Sequence, residues 1–172
     1  SCAMTNPNQS FQRLIAHGDT VIMYAEPQKT LELVKLALAE DTHGRCAVMF
    51  ADRWLWSTTS VLGVANGHDN RLDLHTRAWH NDTIVATQNA TFLQVALLSK
   101  PKMRVAAIAA SRKEEICRLA VIINEARKTR NDPEDAKIGV IIVIPTDLKE
   151  PLKEGIVNAA KISFGDFKVH VL

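Results

Sequence analysis

The sequence predicts an α/β protein: a three-layer domain with a mixed, largely parallel sheet and an antiparallel extension from the middle of the chain. Three observations predict it. From Met103 onward, apolar runs alternate with amphipathic stretches, the order expected of layered strands and helices. Within that half, residues 139–144 form an unbroken apolar run, as in a central parallel strand buried on both faces. Between residues 54 and 88 the texture changes to polar and apolar residues in alternation around dense turn signals, the pattern of antiparallel strands with one wet face.

Taken in order, Ser1, Cys2 and Ala3 ahead of Met4 read as a cloning remnant, leaving one domain over 4–172. Ser10 caps a short helical turn bearing Phe11, Leu14 and Ile15, which Gly18 stops. Val21–Tyr24 is a short apolar strand. Glu26 and Pro27 then suit the first turn of a helix carrying Leu31, Val34 and Leu38 at helical spacing, until Thr42, His43 and Gly44 break the pattern. The run from Cys46 to Ala51 completes a strand, helix, strand unit of about thirty residues, the length of a right-handed parallel crossover.

In the antiparallel insertion, 54–88, Asn66 to Asn70 mark a turn. Leu72, Leu74, Thr76 and Ala78 then alternate with Arg71, Asp73, His75 and Arg77 as one half-buried strand. Asn81 and Asp82 turn the chain into Thr83–Thr87. Asn89 caps a helix through Phe92, Val95, Ala96 and Leu97 that Pro101 ends. Met103–Ala110 is a strand. Ser111 caps a long helix with inner face Ile116, Leu119, Ala120 and Ile123, whose basic end, Arg127, Lys128 and Arg130, opposes the macrodipole on a solvated face. After the strand over 139–144, Thr146 or Asp147 caps the next helix, with Glu150 completing a capping box and Leu148, Leu152, Ile156 and Ala159 facing inward. Phe167–Leu172 is the last strand.

Composition narrows the function classes. With 47% apolar and 23% charged residues the chain is a globular protein with a sizeable core. The balance of 21 basic against 19 acidic residues, a formal +2, excludes a polybasic tail for sequence-blind attraction to nucleic acid or an anionic membrane. No apolar run approaches the roughly 20 residues of a membrane helix. Cys2, Cys46 and Cys117 are odd in number and lack CxxC spacing, which suits free thiols, Cys46 and Cys117 at buried faces or their margins, in a reducing cytoplasm. No glycine-rich phosphate loop is present.

Three sets of residues are candidates for chemistry. The first lies beyond the carboxyl ends of the parallel strands, where helix N-termini converge: Glu26, Gln28, Lys29, Asp52, Arg53, Ser111, Arg112, Thr146 and Asp147. Ser111 and Arg112 are the anion-binding pair there, although Ser, Thr and Asp after strands also cap helices for structural reasons alone. The second is the polar cluster His68, Asp69, Asp73, His75, His80 and Asp82. Asp69, Asp73 and His75 would hold a divalent metal, and Asp52, Asp73 and His75 would be the catalytic groups of a metal-dependent phosphoesterase or nuclease. The element order resembles that of restriction-type nucleases, which implies acids at Asp52 and Asp73. The lysine of that pattern is replaced by His75 here, so the resemblance rests on order alone.

The third set is Arg53, Trp54, Trp56, Arg71, Arg77 and Trp79. Trp and Arg carry binding energy between proteins, and the same residues can stack on and neutralise single-stranded nucleic acid. With no fixed catalytic spacing to set against it, this set predicts a non-catalytic binding or assembly module. Its partner would be a protein, a second copy of the chain or nucleic acid, with no cofactor, and a divalent metal enters only in the phosphoesterase alternative.

Overall fold

The computed structural model describes residues 19–25, 29, 45–51, 71–73, 78–80, 84–87, 90–99, 105–110, 112–129, 138–165 and 168–171. The fold is α/β. Its strands are β1 (Thr20–Tyr24), β2 (Arg45–Phe50), β3 (Arg71–Asp73), β4 (Ala78–His80), β5 (Ile84–Thr87), β6 (Val105–Ala109), β7 (Ile138–Ile144) and β8 (Lys168–Val171). Its helices are α1 (Ala90–Ser99), α2 (Lys113–Thr129) and α3 (Glu150–Phe164). Among the described residues the strands form one sheet in the order β3-β4-β5-β6-β2-β7-β1-β8. From β5 to β8 every pairing is parallel, while β3, β4 and β5 pair antiparallel at one end.

The most apolar strands take the centre. Every residue of β2 and of β7 is buried, as their unbroken runs require of strands covered on both faces. Ile22, Ile142, Met49 and Ile108 stand side by side across four strands. They belong to one core cluster with Leu93, Ala96 and Leu97 of α1, Ile116, Leu119 and Ile123 of α2, and Ile156, Ala159 and Ala160 of α3. The helical residues recur at three and four positions, so each helix lays one stripe on the sheet, and α1 and α3 both pack against α2. Each such branched or aromatic side chain contributes about 1.5–3 kcal/mol by leaving water.

Several expectations need correction. The alternation over 71–78 is not one strand: Arg71 pairs with His80, Leu72 with Trp79 and Asp73 with Ala78, so β3 and β4 are the arms of a hairpin. The capping box on Asp147 and Glu150 does not form. The chain turns first, Leu148 N–H donating to Pro145 O at 3.2 Å, and α3 begins at Glu150 with Lys149 as its N-cap and no side-chain cap bond. Pro151 sits in the first turn, where no helical amide is lost. Leu152, in that first turn, is 52% exposed rather than facing the sheet. Cys46 is buried as expected, but Cys117 is exposed. Arg127 is half-buried against the carbonyl that opens β7, not on a solvated face.

Candidate functional site

The carboxyl ends of the central strands meet at one edge. Ala25 N–H donates to Ile144 O at 3.2 Å, Ala51 N–H to Val143 O at 2.9 Å and Ala110 N–H to Phe50 O at 2.7 Å, so β1, β7, β2 and β6 finish level. Lys29, Arg112, Thr146 and Asp147 are exposed. Arg112 closes the start of α2 with its backbone, its carbonyl accepting from Glu115 N–H at 3.0 Å and Ile116 N–H at 3.3 Å. Its side chain is 74% exposed, with Nε 3.7 Å from Glu115 Oε1. An exposed pair of this kind contributes little to stability. Beside it a groove of about 310 Å³ runs between the first turns of α2 and α3, lined by Arg112, Lys113 and Glu114 on one side and Pro151, Leu152, Gly155 and Ile156 on the other. The other half of the anion pair, Ser111, lies outside the described residues, as do Glu26, Gln28, Asp52 and Arg53.

Sequence reasoning missed Lys153 at this edge. Its side chain is only 16% exposed. Nζ donates to Thr146 O at 2.9 Å, stands 6.0 Å from the Tyr24 ring centroid and lies 3.6 Å from Glu150 Oε1. The ammonium thus ties α3 to the turn after β7 and to the end of β1. A signal was present in the sequence: a cation in the first turn of a helix is repelled by the positive end of the macrodipole, so it needs a local acceptor to be tolerated there.

At the other end of the sheet the register puts two of the Arg/Trp set on neighbouring strands, though not in one cross-strand pair, so they fall in rows that alternate between the two faces. Arg71 on β3 is opposite His80 on β4, and Trp79 is one step along, between Leu72 and Ala86. Arg71 and Trp79 therefore occupy neighbouring strands, and among the described residues β3 is the outermost strand in the sheet order. Arg53, Trp54, Trp56 and Arg77 lie outside the described residues. Of the metal and catalytic candidates, Asp73 is on β3, diagonal to His80 across the hairpin, whereas Asp52, Asp69 and His75 are outside the described residues. Among the described residues no group of three or more His, Cys, Asp or Glu side chains is placed to hold a metal ion. No described helix is long and apolar enough to cross a membrane.

At the amino edge, burial pushes the Cys46 thiol well above its ordinary range, and the nearby Arg127 guanidinium offsets this only in part. Burial in turn weakens the hold of Arg127 on its proton, with Cys46 and Asp19 opposing that shift. Arg45, 6% exposed, donates from Nη1 to Leu97 O at 3.3 Å. These cations are fastened to structural carbonyls.

Compared with protein-family models, with curated proteins and with solved structures, the chain matches none.

Proposed function

We propose that the protein is a non-catalytic binding or assembly module of the cytoplasm, which offers the antiparallel end of its sheet to a protein partner or to nucleic acid. The supporting observation is the hairpin at the end of the sheet order, which carries Arg71 and Trp79 on its two strands, one in each of the two alternating rows. Edge strands are templates for further pairing, and Arg and Trp are the residue types that anchor interfaces. Arg53, Trp54, Trp56 and Arg77 complete the proposed partner-binding set, with Ser111 and Arg112 as a separate anion contact.

The architecture behind this reading is three layers. The helices α1, α2 and α3 share the core cluster containing Ile22, Met49 and Ile142. The residues in the intervening rows, Val21, Met23, Val48, Phe50, Ile141 and Val143, are nevertheless completely buried. A sheet face shielded to that extent needs its own covering layer. Strand order supports this: the steps from β5 to β6, β7 and β8 all run one way and the step from β1 to β2 runs back, so connections that are right-handed would fall on opposite faces.

The mass of the native chain by light scattering, with a salt series on labelled single-stranded DNA, tests the reading. Self-association, or DNA binding that weakens steeply with salt and is reduced in Arg71→Ala and Trp79→Ala, supports it. A monomer that binds no DNA at low salt counts against it. A second reading is a metal-dependent phosphoesterase or nuclease using Asp52, Asp69, Asp73 and His75, and the one observation in its favour is the imidazole of His80 standing diagonal to Asp73 in the hairpin register. A melting temperature raised by Mn²⁺ and lowered again by EDTA would favour that alternative, since a metal held only by the folded chain stabilises it by mass action.

A further inference from the structure

The outermost strand β3 is three residues long, Arg71-Leu72-Asp73, and its charges are arranged symmetrically about Leu72 with opposite signs. Among the described residues it pairs on one side only, with β4. We propose that the partner of this edge is a second copy of the chain, its β3 running antiparallel across a two-fold axis through Leu72. The proposal rests on the assembly reading above and names its partner.

Register makes the edge complementary in charge to itself. In an antiparallel pair centred on Leu72, Arg71 of each copy is opposite Asp73 of the other, so one short strand supplies two opposite-charge pairs of the kind that stabilise a ladder. A parallel pairing in the same register would set Arg71 against Arg71 and Asp73 against Asp73, and like charges directly opposite are destabilising. The strand therefore discriminates between the two orientations. The favoured one is isologous: it closes as a dimer and consumes both edges instead of propagating a fibre. At the far edge of the sheet, β8 reads Lys168-Val169-His170-Val171 and contains no acid. Two copies meeting there bring no opposite charges together, and an edge lysine is a common device against such contact.

Sedimentation equilibrium of the full chain from about 1 µM to about 1 mM should show a monomer–dimer equilibrium that weakens with salt. Arg71→Asp and Asp73→Arg each leave β3 with charges of one sign, and each should raise the dissociation constant at least about tenfold. An equimolar mixture of the two variants pairs opposite signs again and should dimerise as the original chain does. The double variant Arg71→Asp with Asp73→Arg serves if a single variant fails to fold, as judged by circular dichroism. It should self-associate as the original chain does, since the antiparallel register again sets opposite charges against each other. A dimer indifferent to both single substitutions, or lacking rescue in the mixture, overturns edge pairing and leaves the broader assembly reading intact. A chain monomeric throughout overturns edge pairing, and the DNA titration then decides the broader reading on its own.

Discussion

Arg127, near the end of α2, donates from Nε to the carbonyl oxygen of Ile138, the first residue of β7, at 2.8 Å. Its Nη1 is 3.4 Å from Asn124 Oδ1, and the guanidinium lies 5.9 Å from the Phe164 ring centroid. Asn124 Nδ2 donates in turn to Ser163 O at 3.3 Å. One side chain thus gathers the ends of α2 and α3 around the start of the most buried strand.

Removing it should be costly. Arg127→Ala leaves the Ile138 carbonyl without a charged donor and should lower unfolding free energy by about 1.5–3 kcal/mol, the range for a hydrogen bond to an ionised group. Arg127→Lys should recover little, because an ammonium cannot reproduce the planar fork that reaches Ile138 and Asn124 together. Urea unfolding checks both: the midpoint falls with an unchanged slope if only stability is affected.

Much of the architecture is legible because it rests on local periodicity. Ile116, Leu119, Ala120 and Ile123 announce the buried stripe of α2 by spacing alone, and the run through Ile141, Ile142 and Val143 announces a doubly covered strand. The failures arise where a distant partner decides. Residues 71–78 keep alternating although β3 and β4 are the two arms of a hairpin, and Leu74 to Arg77 include no glycine, proline or asparagine to mark a reversal. The cation at Arg127 suits a helix C-terminus by dipole arguments, but only the return of the chain at Ile138 shows why it is half-buried. At the candidate sites, residue type alone singles out Arg71 and Trp79. Which face each residue takes follows from register, which strands of three residues do not encode on their own.

The two described thiols should behave oppositely. Cys46 is fully buried and its proton is held more tightly than in the unfolded chain. Between the ordinary thiol pKa of about 8.5 and the raised native value, the native state therefore binds more protons than the unfolded state, and stability falls as pH rises. That contribution is complete below about pH 8.5 and is lost above it. Unfolding free energies measured up to about pH 10 should decline less steeply in Cys46→Ala than in the original chain. Under native conditions a thiol reagent followed by peptide mass analysis should mark the exposed Cys117 and spare Cys46.

Lys153 and Glu150 form an ion pair in name, yet the two partners should differ sharply on substitution. Glu150 is 87% exposed and 3.6 Å from the ammonium, a solvent-screened contact, so Glu150→Gln should change stability by no more than about 0.5 kcal/mol. Lys153 also holds Thr146 O and faces Tyr24 from a largely covered position. Lys153→Met keeps the stem but abandons that carbonyl, and thermal unfolding should report a loss of about 1–2 kcal/mol. Equal effects from the two variants would mean that the ion pair, not the carbonyl and the ring, carries the contribution of Lys153.

The two glycines of α3 and its terminus should respond with opposite signs to the same substitution. Gly155 lies within the helix, and a Cβ added there meets nothing within 4 Å. Gly155→Ala should stabilise by about 0.5–1 kcal/mol, through helix propensity and a less disordered unfolded chain. Gly165 ends the helix at φ 75° and ψ −127°, its N–H donating to Lys161 O at 3.0 Å. No atom crowds its Cβ position either. Space is thus no obstacle at either site, and backbone conformation alone separates them. An L-residue is strained at the torsions of Gly165, so Gly165→Ala should cost about 1–3 kcal/mol. Paired urea titrations of the two variants isolate that difference, and a Gly165→Ala chain as stable as the original would mean that the helix end relaxes to an ordinary torsion without losing the bond to Lys161.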